Sequence, residues 1–265
     1  MEGLLVHIEG IGWWSPGVPN WNAAAALLRD GTTLPTTGDK GPAPDVLPPS
    51  ERRRAPAPVL LACEVANQAC TMAGRDAADV PAVFASAHGD IAISDALCTT
   101  LAGDPLALSP TRFHNSVHNA PAGYWTIATH CHAASSAISA WRGSFAAGLL
   151  EASVQALADR TPVVFAAYDI AGQGALGDVL PAAMTFGTAL LLSPEHRPRT
   201  RASLRLRHEA RSAPVDEPEA EWRALAEATP IANALPLFGA LARAQSGIVR
   251  LPNGRASTLA IEVLA

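Results

Sequence analysis

The sequence predicts an α/β fold: a mixed sheet of largely buried strands with helices packed against it. Three observations carry this. Short apolar runs such as residues 162–168 and 184–193 have the length of strands. Between them lie longer Ala- and Leu-rich stretches at helical spacing, one opened by Asn20 and two closed by Gly31 and Gly74. With 49% apolar and 16% charged residues in a chain of 265, the composition is that of a compact folded body and excludes a disordered one.

In chain order, residues 4–12 read as an apolar strand that Gly10, Gly12 and Ser15-Pro16 end in a turn. A helix over 21–29 follows, with Asn20 as its N-cap and Gly31 just past its end. Residues 32–58, dense in Pro, Gly, Thr and Asp, form a long surface loop. Leu60, Leu61, Val65, Ala66 and Cys70 fall at helical spacing, so 58–73 is a helix closed by Gly74. Cys63 and Cys70 share a face of it and read as small buried side chains. A strand over 82–86 and a helix over 90–101 come next. Residues 104–119 read as a loop rich in polar side chains, and long loops in compact domains are often functional. Helices over 120–129 and 143–158 flank a strand over 135–140. Strands over 162–168, 184–193 and 200–208, helices over 218–228 and 235–244, and strands over 247–251 and 257–263 complete the chain. With no internal repeat and no dividing linker, all 265 residues are expected in one domain.

Composition also excludes function classes. The formal net charge of −5 leaves no electrostatic footprint for nucleic acid, and Arg52-Arg53-Arg54 reads as a solvated, partner-facing loop. No apolar run approaches the ~20 residues that cross a bilayer, and Met1-Glu2-Gly3-Leu4-Leu5 lacks the basic start of a secretion signal, so no membrane insertion and a cytoplasmic location are expected. Cys63, Cys70, Cys98 and Cys131 lack CxxC spacing and read as free thiols. No cofactor is expected.

Three segments, in order, carry a family resemblance. Val6-His7-Ile8-Glu9-Gly10-Ile11-Gly12-Trp13-Trp14-Ser15-Pro16 resembles an opening strand and turn of the form V-x-I-T-G-x-G-x-x-S-P. Asn119-Ala120-Pro121-Ala122-Gly123 is similar to the start of a helix N-x-x-A-G-x-x-x-I, and Ser135-Ser136-Ala137-Ile138-Ser139-Ala140-Trp141-Arg142-Gly143-Ser144 to a strand and elbow S-x-S-I-x-T-A-C-x-S. Phe186 to Leu192 also looks like a family strand, G-x-G-A-G-x-x-V-L. These are segments of the ketosynthase members of the thiolase-like superfamily. The resemblance covers about residues 4–193 and leaves 194–265 as an unmatched tail. It implies the N-terminal half of a β-ketoacyl synthase.

Counted without gaps from Ala122-Gly123, the family's nucleophilic cysteine falls on Arg142, with Trp141, Gly143 and Ser144 around it. A thioester-forming site needs a thiolate at a helix N-terminus, and a guanidinium offers none. The family's C-terminal histidine motifs, H-G-T and N-x-x-F-G-F-G-G, are not found after Gly187. By this resemblance the chain is not a condensing enzyme by itself. It looks like the chain-length factors that pair with an active synthase, and residues 109–119 look like the short ketosynthase-like proteins of aryl-polyene and xanthomonadin-type pathways. A full-length active β-ketoacyl synthase is the implied partner, with acyl carrier protein met indirectly. The implied interface is the strand Ser135, Ser136, Ala137, Ile138, Ser139 and Ala140, with His114, Asn115, His118 and Asn119 near the partner. Trp141, Arg142 and Phe145 are expected to fill the elbow, and Ile138→Pro to remove a ladder donor needed for pairing.

Rival readings remain at this stage. His114, His118, His130, Cys131 and His132 offer donors suited to zinc, but Pro110 places the first two on a loop, where structural hydrogen bonds are the plainer role. Cys131 between two histidines, or Ser144 at a helix start, would serve a small acyl-transfer or hydrolytic enzyme. Ser144 also suits a helix cap. A plain interaction module is the third alternative.

Overall fold

The computed structural model describes residues 3–38, 40–210, 214–254 and 257–265; Met1, Glu2 and six further residues of the expected single domain (39, 211–213, 255–256) lie outside it. The elements run β1 (Leu4–Trp14), α1 (Trp21–Arg29), α2 (Pro49–Arg52), α3 (Ala57–Ala73), β2 (Ala82–Ala85), α4 (Ile91–Gly103), α5 (Pro110–Asn115), α6 (Ala120–Thr129), β3 (Ser135–Ile138), α7 (Ser144–Asp159), β4 (Val163–Asp169), α8 (Gly174–Val179), β5 (Phe186–Ser193), β6 (Ala202–Ala210), α9 (Arg223–Ala228), α10 (Leu235–Ala242), β7 (Gly247–Pro252) and β8 (Ser257–Leu264). Eight strands form one sheet in the order β3-β2-β4-β5-β1-β6-β8-β7. β2 lies parallel to β3 and β4, and the other neighbours are antiparallel. This is the expected mixed sheet with packed helices.

Local signals set several boundaries. The Asn20 side chain accepts from the Ala23 N–H at α1, and Gly74 closes α3 in the left-handed conformation. Phe145, Leu149 and Phe165 pack with α1 and α10 side chains on one face of the sheet. Val65, Ala69, Phe84 and Trp125 fill the other, beneath α3 and α6. The 194–265 tail supplies β6, β8 and β7, which extend this same sheet from β1.

Several expectations are corrected. Gly10 and Gly12 do not end β1, which runs on to Trp14; they let the backbone of α3 lie directly on the strand. Residues 104–119 are not loop throughout. Ser109 caps α5 and Pro110 sits in its first turn, where a missing N–H costs nothing. α2 interrupts the 32–58 loop, and α8, in a Gly-rich stretch, has no periodic signal. The strand expected over 135–140 stops at Ile138 and pairs with β2 alone, so it is an edge of the sheet. The Ala82 N–H donates to the Ala134 carbonyl at 3.1 Å and the Ser86 N–H to the Ile138 carbonyl at 3.2 Å. Backbone groups alternate sides along a strand, so Ile138 faces β2 and its N–H is not offered to a partner. Ser135 and Ala137 hold the open edge.

Candidate functional site

The C-terminal ends of β2, β3 and β4 converge on one polar cluster. Asp169 ends β4 with no solvent exposure. Its Oδ1 accepts from the Ser86 hydroxyl at 2.8 Å and the Ala87 N–H at 2.9 Å, and its Oδ2 from the Thr229 hydroxyl at 3.3 Å. Ser86 Oγ in turn accepts the Gly89 N–H at 2.8 Å, which bends residues 86–89 into a tight turn with Gly89 left-handed. Burial holds the Asp169 carboxyl above the usual aspartate range, against the opposing pull of the Ser86 bond, the nearby His88 and the Ala87 N–H.

That shift has a sign. A carboxyl whose folded pKa is raised binds its proton more tightly folded than unfolded, so its contribution to stability is best in acid and falls as pH rises from the unfolded value of about 4 to the raised one. Asp169→Asn keeps an acceptor for Ser86 and Ala87 and removes the charge. Urea titrations are expected to show wild type losing stability relative to Asp169→Asn as pH rises through this window. Parallel pH profiles would mean that burial does not raise the carboxyl above its unfolded value.

Beside this cluster lies the elbow between β3 and α7. Trp141 takes a left-handed backbone, φ 54°, and opens a single 3-10 turn, Trp141–Gly143, before α7. Ser144, fully buried, is committed to this bend. Its hydroxyl accepts the Ala140 N–H at 2.9 Å and donates to the Trp141 carbonyl at 2.8 Å, so it caps the elbow rather than the helix and has no proton left for chemistry. The tail buttresses the same turn: Asn233 donates to the Arg142 carbonyl at 3.1 Å, and a Cβ on Gly143 would stand 2.7 Å from the Gly254 nitrogen.

The expected filling of the elbow is half corrected. Phe145 is buried against Phe165 and Phe238, but Trp141 and Arg142 point outward, Trp141 with 45% of its surface exposed. The indole rests edge-on against the His88 ring, centroids 5.0 Å apart, and the His88 Nε2 is buried without a hydrogen-bond partner among the described residues. Neither His88 nor Asp169 stands out in the sequence. The signal it offers is a serine and an aspartate each ending an apolar strand.

The remaining candidates separate. His118 Nε2 lies 3.2 Å from the Ser86 carbonyl, beside the cluster, and Ser139 donates to the Ala87 carbonyl at 3.2 Å. His114 is exposed on α5, Asn115 ends that helix, and Asn119 precedes α6 without capping it. Cys131 is buried at the opposite end of β2, its thiol 3.5 Å from the Val80 carbonyl, far from the elbow. Burial pushes the Cys63 and Cys70 thiols up to about 12. Among the described residues no three His, Cys, Asp or Glu side chains gather as a metal site would require. A cavity of about 590 Å³ opens beside α6, lined by Leu47, His114, Gly123, Tyr124, Ile127 and His130. Phe113 and Ile127 stand exposed on this side of the molecule, where α6 packs over β2 and β3. No described helix is long and apolar enough to cross a membrane.

The β-ketoacyl synthase N-terminal domain matches residues 21–236, and the chain belongs to that family. Its fold is the thiolase-like ketosynthase fold. Similar solved structures include the ketosynthase (ApeO) in complex with its chain length factor (ApeC) from Xenorhabdus doucetiae, at 22% identity over 98% of this chain and 99% of that one, TM-score 0.73. The ishigamide ketosynthase/chain length factor matches at 14% identity over 99% and 100%, TM-score 0.70. AntDE:AntF, a type II polyketide acyl-carrier protein in complex with its ketosynthase, matches at 11% over 100% of both chains, TM-score 0.76. No curated protein sequence matches the chain.

Proposed function

We propose that this chain is a non-catalytic, chain-length-factor-like subunit that pairs with an active β-ketoacyl synthase in the cytoplasm. The observation that carries the reading is the elbow itself. It keeps a strand-to-helix turn at the helix N-terminus, where a nucleophile would sit, yet it presents an indole and a guanidinium, neither of which forms a thioester. Supporting it are the ketosynthase–chain length factor complexes among the similar structures and the unpaired edge of β3. Unpaired edges invite strand addition. In this reading β3 pairs with the synthase, α5 and α6 face it, and the cavity beside Gly123 adds to the space in which the chain grows. The sequence resemblance of residues 109–119 supports an aryl-polyene type of pathway.

Two measurements test it together. Co-expression with the ketosynthases of the host, followed by sizing and native mass analysis, is expected to yield a heterodimer. Incubation of the purified chain with acyl-loaded carrier protein is expected to leave its mass unchanged. A stoichiometric acyl adduct on any residue, Ser144 and Cys131 included, would overturn the non-catalytic reading.

A further inference from the structure

The left-handed Trp141 leaves nearly half of its surface outside the fold. The other five tryptophans, Trp13, Trp14, Trp21, Trp125 and Trp222, are all buried, whereas Trp141 is nearly half exposed. A non-glycine residue at φ 54° carries roughly 1–2 kcal/mol of backbone strain and persists only where its surroundings over-determine it. Here they do: the Ala140–Ser144–Trp141 bonds, the Gly143 N–H to the Ala140 carbonyl at 2.9 Å, and Asn233 on the next carbonyl fix the turn. Among the described residues the indole meets no aromatic ring but that of His88 and finds no acceptor for its N–H, and nearly half of its surface stays exposed. A fixed, strained, exposed aromatic with unused contact surface is what a binding anchor requires.

We infer that Trp141 is the anchor of the partner interface, its indole entering an apolar recess of the ketosynthase that also offers an acceptor to the indole N–H. The inference rests on the pairing reading above. Position supports it. Trp141 follows the free edge strand β3 by three residues, so sheet extension across β3 carries it into the contact. The platform under it is rigid, because His88 lies on the turn that Ser86 and Asp169 pin. A preordered aromatic loses little entropy on binding.

The test compares wild type with Trp141→Gly and Trp141→Phe, measuring affinity for the co-purifying synthase and melting temperature in each. Glycine suits a left-handed backbone, so Trp141→Gly is expected to melt at or above the wild-type temperature while its Kd rises about 30-fold or more. Trp141→Phe keeps a ring without the N–H and is expected to bind between the two. Trp141→Gly binding as tightly as wild type overturns the anchor and leaves pairing intact. A melting temperature that drops with unchanged affinity shows a structural role and also overturns it. A wild-type chain that binds no ketosynthase removes the pairing reading and this inference with it.

Discussion

Ala137→Pro is expected to weaken pairing with the synthase by about 10-fold or more while leaving the isolated chain folded. The argument is one of strand direction. β3 bonds to β2 through the carbonyls of Ala134 and Ile138, so 134, 136 and 138 point inward and Ala137 turns its N–H to the open edge. Proline there removes a donor that no bond in this chain uses, and edge strands accept proline on their solvent side. The residue before it, Ser136, is already extended, as a residue preceding proline prefers. Inside a sheet continued across the interface, the same ring removes a ladder donor and leaves the facing carbonyl unpaired, at about 1–3 kcal/mol, on the order of 10- to 100-fold in affinity. Ile138→Pro would be the poorer probe, since it breaks the β2–β3 ladder of the monomer. Sizing and native mass analysis of co-expressed Ala137→Pro decide the matter: a heterodimer as stable as wild type would mean that β3 is not the pairing strand.

What is legible in the sequence is local. Asn20, Gly74, Ser109 and Asp90 each cap a helix by contacts within three or four residues of themselves. The first two announce their helices directly; at Ser109 the following proline looks like a breaker, although it opens a helix. What is not legible depends on pairing between distant strands. The tail strands show in the sequence, but their place beside β1 does not, because nothing local states which strands are neighbours. The same blindness hides the Asp169 cluster: Ser86 and Asp169, 83 residues apart, meet only because β2 and β4 run parallel. Family spacing points to the turn between β3 and α7, yet the left-handed backbone of Trp141 within it is an angle that composition does not encode.

Gly10 and Gly12 show the same limit and carry a large expected stability effect. A Cβ on Gly12 would stand 2.0 Å from the Val65 carbonyl oxygen, and one on Gly10 the same distance from that of Ala69. Both obstacles are backbone atoms of α3, one helical turn apart, so neither can be turned aside by a rotamer change. The helix would have to lift from β1, opening the layer that Val65 and Ala69 fill. Gly12→Ala is therefore expected to cost about 3 kcal/mol or more, at the upper end of overpacking penalties, and to lower the melting temperature by roughly 6–12 °C. Gly123→Ala is the control. Gly123 lies inside α6, and a Cβ added there would meet nothing within 4 Å, so alanine is expected to stabilise by about 0.5–1 kcal/mol through helix propensity alone. Thermal melts of the two variants side by side test the contact. Equal melting temperatures would mean that α3 does not seat on the glycines of β1.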